Sequence, residues 1–99
     1  MIRHCSLFKL KDGTPSETID EIVRGFRTVA AALPLVREAR IGRNVGFLPD
    51  NYDIAANLHF DSIEDYRSYG ADPVHLKFVN ESLRPHLETR AAVQFELEA

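Results

Sequence analysis

One cysteine, Cys5, in 99 residues leaves no partner for an intramolecular disulfide and no basis for a cysteine-rich zinc site. Nothing in the chain requires an oxidising compartment, and a cytoplasmic setting is expected. Long apolar runs are also missing: the longest, Val29 to Val36, contains Pro34 and is far too short to cross a bilayer. Met1-Ile2-Arg3-His4 opens straight into strand-like sequence, without the basic region and apolar stretch of a signal peptide. Positive charge is not in excess. Twelve Lys+Arg face fifteen Asp+Glu, a formal net charge of −3, and the basic residues are scattered, which argues against a surface that tracks nucleic-acid phosphates. A glycine-rich phosphate loop is lacking, since Gly42 and Gly46 flank Arg43-Asn44-Val45 at a strand end, so no nucleotide cofactor is implied. No two of the four histidines sit four apart on one helix, and a metal site is not expected. No stretch reads as a linker, so residues 1–99 form one domain. A chain of this length buries only about two-thirds of its unfolded surface, and a partner's surface is expected to complete its core.

What is present is a clear succession of periods. Residues 2–10 alternate, with Ile2, His4, Ser6, Phe8 and Leu10 on one face and Arg3, Cys5, Leu7 and Lys9 on the other, as in a strand. Asp12-Gly13 turns the chain, and Thr14-Pro15-Ser16-Glu17 reads as a capping box with Thr14 as N-cap and Glu17 reaching back. The helix that follows carries its stripe at Ile19, Ile22, Val23, Phe26, Ala30 and Leu33 and ends at Pro34. Gly25 within it reads as a flaw of about 1 kcal/mol relative to alanine. Val36 to Val45 is a polar strand placed near a sheet edge, and Tyr52 to Phe60 is the plainest strand in the chain. Asp61-Ser62 caps a short helix stopped by Gly70, Asp72-Pro73 opens another that stops before Pro85, and a last strand alternates from Ala91 to Glu98.

The order β-α-β-β-α-α-β predicts an α+β sandwich of the ferredoxin-like kind, with helices covering one face of a four-stranded antiparallel sheet. Cys5, Leu7, Ala39, Ile41 and Ala55 are expected on the other face with Asn57 and His59, a mixture too apolar to leave in water. The same sheet of a second copy would cover it, giving a homodimer.

The chain resembles the stress-responsive A/B barrel family, small dimeric α/β-barrel proteins, over its whole length. The resemblance rests on His4 ahead of Phe8-Lys9-Leu10-Lys11, Leu33-Pro34, Ile41-Gly42 with Asn44, Tyr52-Asp53-Ile54-Ala55, Phe60-Asp61-Ser62, and Tyr69-Gly70-Ala71-Asp72-Pro73-Val74-His75 leading to Phe78-Val79. The family includes plant stress proteins and a polyketide cyclase of olivetolic acid formation, and in that cyclase the residues matching His75 and Tyr69 are the acid/base pair beside a substrate pocket. Ile54 stands here where the cyclase has a strand histidine, and Asp72 where it has a second histidine in the turn, which argues against a shared substrate.

The resemblance thus implies His75 and Tyr69 as a catalytic pair acting on a carbonyl, polyketide-like or aromatic compound, with His4, Phe8, Phe26, Ile54 and Phe78 binding it in a small apolar pocket. His75, at N3 of its helix, faces a positive dipole end that favours neutral imidazole, opposed by the nearby Asp72 carboxylate. A capping role, bonding back to the N-cap backbone, is the competing reading. Tyr69 orients a carbonyl or is a core tyrosine with a wet hydroxyl, and His4 is a satisfied core histidine or a pocket donor. His59 and Asn57 are read as interface groups, His86 as surface, and Cys5 as a buried inert thiol. A non-enzymatic stress-protective or ligand-binding protein is the alternative, and a cofactor-free oxygenase or isomerase a third.

Overall fold

A computed structural model describes residues 1–98; Ala99 lies outside the described residues. The elements are β1 (Ile2–Leu10), α1 (Ser16–Ala32), β2 (Glu38–Arg43), β3 (Ile54–Phe60), α2 (Ile63–Ala71), α3 (Pro73–Phe78) and β4 (Leu87–Glu96). A π-helical turn over Val79–Leu83 and a 3-10 turn over Arg84–His86 join α3 to β4. All strand pairs are antiparallel in the order β2-β3-β1-β4, which is the ferredoxin-like α+β fold with three helices on one face. No helix among the described residues is long and apolar enough to cross a membrane.

The alternation expected of β1 is observed: Ile2, His4, Ser6, Phe8 and Leu10 are buried beneath the helices. α1 turns Ile19, Ile22, Val23, Phe26, Val29 and Ala30 onto them, so the apolar stripe is the contact face. Its start differs from the expected capping box. Pro15, not Thr14, is the N-cap, and its ring has no polar atom to cap with, while the Thr14 hydroxyl donates to the Lys11 carbonyl at 2.7 Å. That bond closes the turn in which Gly13 takes φ +83°, a left-handed conformation that glycine adopts without steric cost. The Ser62 and Asp72 caps form as expected, Ser62 Oγ accepting from the Asp65 N–H and Asp72 Oδ1 from the Val74 N–H.

Two residues change sides. Ile41 lies opposite Ala56 and Ala39 opposite Leu58, and directly paired residues share a face of the sheet. Both therefore point towards the helices, where Ile41 is buried and Ala39 packs against the core, rather than lying on the open face. The β4 register supplies the open face instead: Ala91 is opposite Leu7, Val93 opposite Cys5 and Phe95 opposite Arg3. Leu7, Val93 and Phe95 are 45, 55 and 44% exposed, large apolar side chains on one uncovered surface. β2 is an edge strand as expected, and it is shorter than Val36–Val45.

Candidate active site

Between α2, α3 and the helix-facing side of β1, the fold leaves a cavity of about 340 Å³. Phe8, Phe26, Ala56, Leu58, Leu83 and Leu87 form its apolar walls, and His4, Tyr66, Tyr69 and His75 bring polar atoms to it. A second hollow of about 380 Å³ is a trough beside Leu7, Tyr52 and Ala55 that contains neither His75 nor Tyr69.

His75 and Tyr69 are brought together by the break between α2 and α3. Asp72 ends α2 and begins α3, Pro73 locks the first turn of the new helix, and the chain changes direction between the two rings. The ring centroids lie 4.4 Å apart. His75 does not bond to the N-cap backbone, as the capping reading required. Its Nδ1 lies 3.2 Å from the Gly70 carbonyl oxygen; a carbonyl can only accept, so Nδ1 carries the proton and Nε2 is left with the lone pair. Burial holds His75 below its ordinary value of 6.5; the Gly70 bond and the Asp72 carboxylate oppose this, and Arg90 adds to it. The phenol of Tyr69 is pushed up to about 12, by burial first and by Tyr66 second. At neutral pH the site therefore pairs an unprotonated imidazole with a protonated phenol, the states of a general base and a hydrogen-bond donor.

His4 is both a satisfied core residue and a pocket residue. Gln94 Nε2 lies 2.8 Å from its Nδ1. An amide N–H can only donate, so Nδ1 accepts and the neutral ring carries its proton on Nε2. Its ring lies 4.7 Å from that of Tyr66, and burial, aided by Arg90 and His75, lowers it to about 4.

Phe8 and Phe26 line the cavity as expected, their rings 5.0 Å apart. Ile54 and Phe78 do not. Ile54, 1% exposed, is packed in the core, and Phe78 backs the cavity-lining Phe26 from behind, its ring 4.8 Å from that of Phe26. Cys5 is half-buried on the open face, its thiol donating to Asn57 Oδ1 at 2.8 Å, rather than buried in the core. His59 is on the open-face side but already satisfied within the chain, its Nε2 accepting from Arg3 Nε at 2.6 Å and its Nδ1 3.2 Å from a Glu38 carboxylate oxygen. His86 is half-buried rather than surface.

Sequence reasoning missed Tyr66, Arg84 and Arg90, which also line the cavity. Arg84 is carried in by the Val79–Leu83 π turn, which places Val79 and Leu83 on the cavity wall. The only signal for that turn is Pro85, whose missing N–H cannot continue an α-helical ladder. Arg90 arrives through the β4 register, opposite Phe8.

The fold is shared with solved structures. A dimeric ferredoxin-like protein of unknown function from Thermobifida fusca is 29% identical, with 97% of this chain and 90% of that one covered and a TM-score of 0.87. A dimeric protein of unknown function from Bacteroides fragilis is 27% identical over 97% of this chain and 95% of its own, with a TM-score of 0.81. A hydroxynitrile lyase from Passiflora edulis has the same fold at 21% identity, covering 98% and 93% with a TM-score of 0.83. No curated protein matches the chain. The sequence model of the stress responsive A/B barrel domain matches residues 2–97, and the chain belongs to that family.

Proposed function

We propose that the protein is a homodimeric, cytoplasmic A/B-barrel enzyme that transfers a proton on a carbonyl compound, including the enolate chemistry of a polyketide-like cyclisation. The observation that carries this reading is the His75 Nδ1–H committed to the Gly70 carbonyl, which leaves Nε2 as a base beside the Tyr69 phenol at a mostly apolar cavity. In the reaction, His75 Nε2 takes a proton from the carbon alpha to the carbonyl, and the Tyr69 hydroxyl donates a hydrogen bond to the oxygen as it gains enolate charge. The neutral state of His75 makes it competent before substrate arrives, and the phenol, far from ionising, remains a donor throughout. His4 offers its Nε2–H as a further donor, while Phe8 and Phe26 exclude water from the reacting face. The hydroxynitrile lyase among the structural relatives is an enzyme on the same fold, and the Thermobifida fusca and Bacteroides fragilis relatives are dimers, which supports a dimer here.

The test is wash-in of solvent deuterium alpha to the carbonyl of small aromatic ketones, followed by NMR. The parent is expected to accelerate exchange over buffer. His75→Ala is expected to lower that rate ~100-fold or more, with Tyr69→Phe intermediate. Loss of the single His75 hydrogen bond costs only about 1 kcal/mol of stability, so the variant remains folded. Undiminished exchange in His75→Ala refutes the assignment. Saturable binding without exchange in the parent identifies instead a binding protein that uses the same pocket.

A further inference from the structure

The lining of the cavity is charged in one direction. Arg84 and Arg90 both border it, and none of its lining residues is an aspartate or glutamate. Neither arginine belongs to an ion pair among the described residues, whereas Arg37, Arg40 and Arg43 on the outer surface are paired with Asp61, Glu38 and Asp20. The acid whose charge acts on His75, Asp72, is already engaged as the α3 cap, accepting from the Val74 N–H. A protein of net charge −3 thus concentrates two uncompensated guanidinium groups at the cavity that holds His75. Both side chains stand on exposed positions, Arg84 just after the π turn and Arg90 on β4, so their charges sit at the mouth and the apolar walls lie deeper.

We infer that the substrate is an anionic carbonyl compound, an apolar or aromatic body bearing a carboxylate that Arg84 and Arg90 hold at the cavity mouth while the body lies against Phe8 and Phe26. Guanidinium groups present paired N–H donors that match a carboxylate's two oxygens, and a charge-assisted bond of this kind is stronger than a neutral one. Anchoring at the mouth fixes the depth to which the molecule enters, and so sets which carbon meets His75 Nε2. A volume of about 340 Å³ suits one aromatic ring with a short chain, with no room for a nucleotide-sized anion. The inference deepens the proton-transfer reading and rests on it for the cavity's being the substrate site, but it is tested by binding alone.

The probes are 3-phenylpropanoate and the neutral 3-phenylpropan-1-ol, which share a body and differ in the anchor, measured by calorimetry and by amide shifts around Tyr69 and His75. The propanoate is expected to bind the parent about tenfold more tightly than the alcohol or better. Arg84→Gln/Arg90→Gln is expected to bring it down to the alcohol's affinity, leaving the alcohol's binding and the amide spectrum of the fold unchanged. Arg90→Lys, in the otherwise native chain, should retain part of the preference. Equal affinity of the two probes for the parent, a preference that survives in the double variant, or shifts that bypass Tyr69 and His75 would each overturn the inference. Failure of the catalytic reading looks different: the carboxylate preference persists while deuterium wash-in is absent.

Discussion

At the residue scale, the site depends on titratable groups held in their neutral forms. His4 is lowered from 6.5 to about 4, chiefly by burial. Between those values the unfolded chain binds a proton at this position that the folded chain does not, so folding stability falls as pH falls. The contribution is complete above ~6.5 and gone below ~4, and for a ring this buried it amounts to about 3 kcal/mol. His75 shifts in the same direction and adds to the slope. Urea denaturation across this interval should show the parent losing stability towards acid, and His4→Gln should flatten the profile. A parallel pair of profiles would exclude His4 as the source.

At the scale of elements, the helix contact explains a residue that propensity alone misjudges. Gly25 reads as a defect in α1, yet a Cβ placed there would overlap the ring of Phe78, with the nearest ring carbons at or within 3.0 Å. That ring is buried and fixed edge-on against Phe26, so it has little freedom to move aside. Glycine is the condition for α1 and α3 to approach closely enough to wall the cavity. Gly25→Ala gains about 1 kcal/mol of helix propensity and loses more through overpacking, about 1–3 kcal/mol. Thermal or urea denaturation should therefore show a less stable variant, and a stabilised one would contradict this packing. The contact was not visible in the α1 sequence because its partner lies fifty-three positions away, in a different helix.

At the scale of the whole molecule, one side of the sheet remains without cover. Leu7, Ala55, Ala91, Val93 and Phe95 share it, and leaving such a surface in water is unfavourable. A two-fold dimer with sheet facing sheet, burying more than ~1,200 Å² in total, is the expected state. Sedimentation at micromolar concentration should find a dimer, and Val93→Glu combined with Leu7→Glu should yield a folded monomer. A parent that sediments as a monomer would rule this arrangement out.

The local patterns were enough to determine the element order, the helix-facing set of β1, the Ser62 and Asp72 caps, and the proximity of Tyr69 to His75, because each depends on residues within a few positions of one another. Period-2 alternation also identified the buried side of β3, where Ile54, Ala56, Leu58 and Phe60 carry the core. Tertiary structure decided the rest. Alternation says which residues share a side within a strand but not which side of a neighbour they meet, so only the β2–β3 and β1–β4 registers turned Ile41 inward and set Val93 and Phe95 on the open face. The same registers brought Arg90 to the cavity, the π turn added Arg84, and Ile54 and Phe78 were left behind the walls. Which side chains border a cavity depends on the small space left between packed elements, a quantity that no local period encodes.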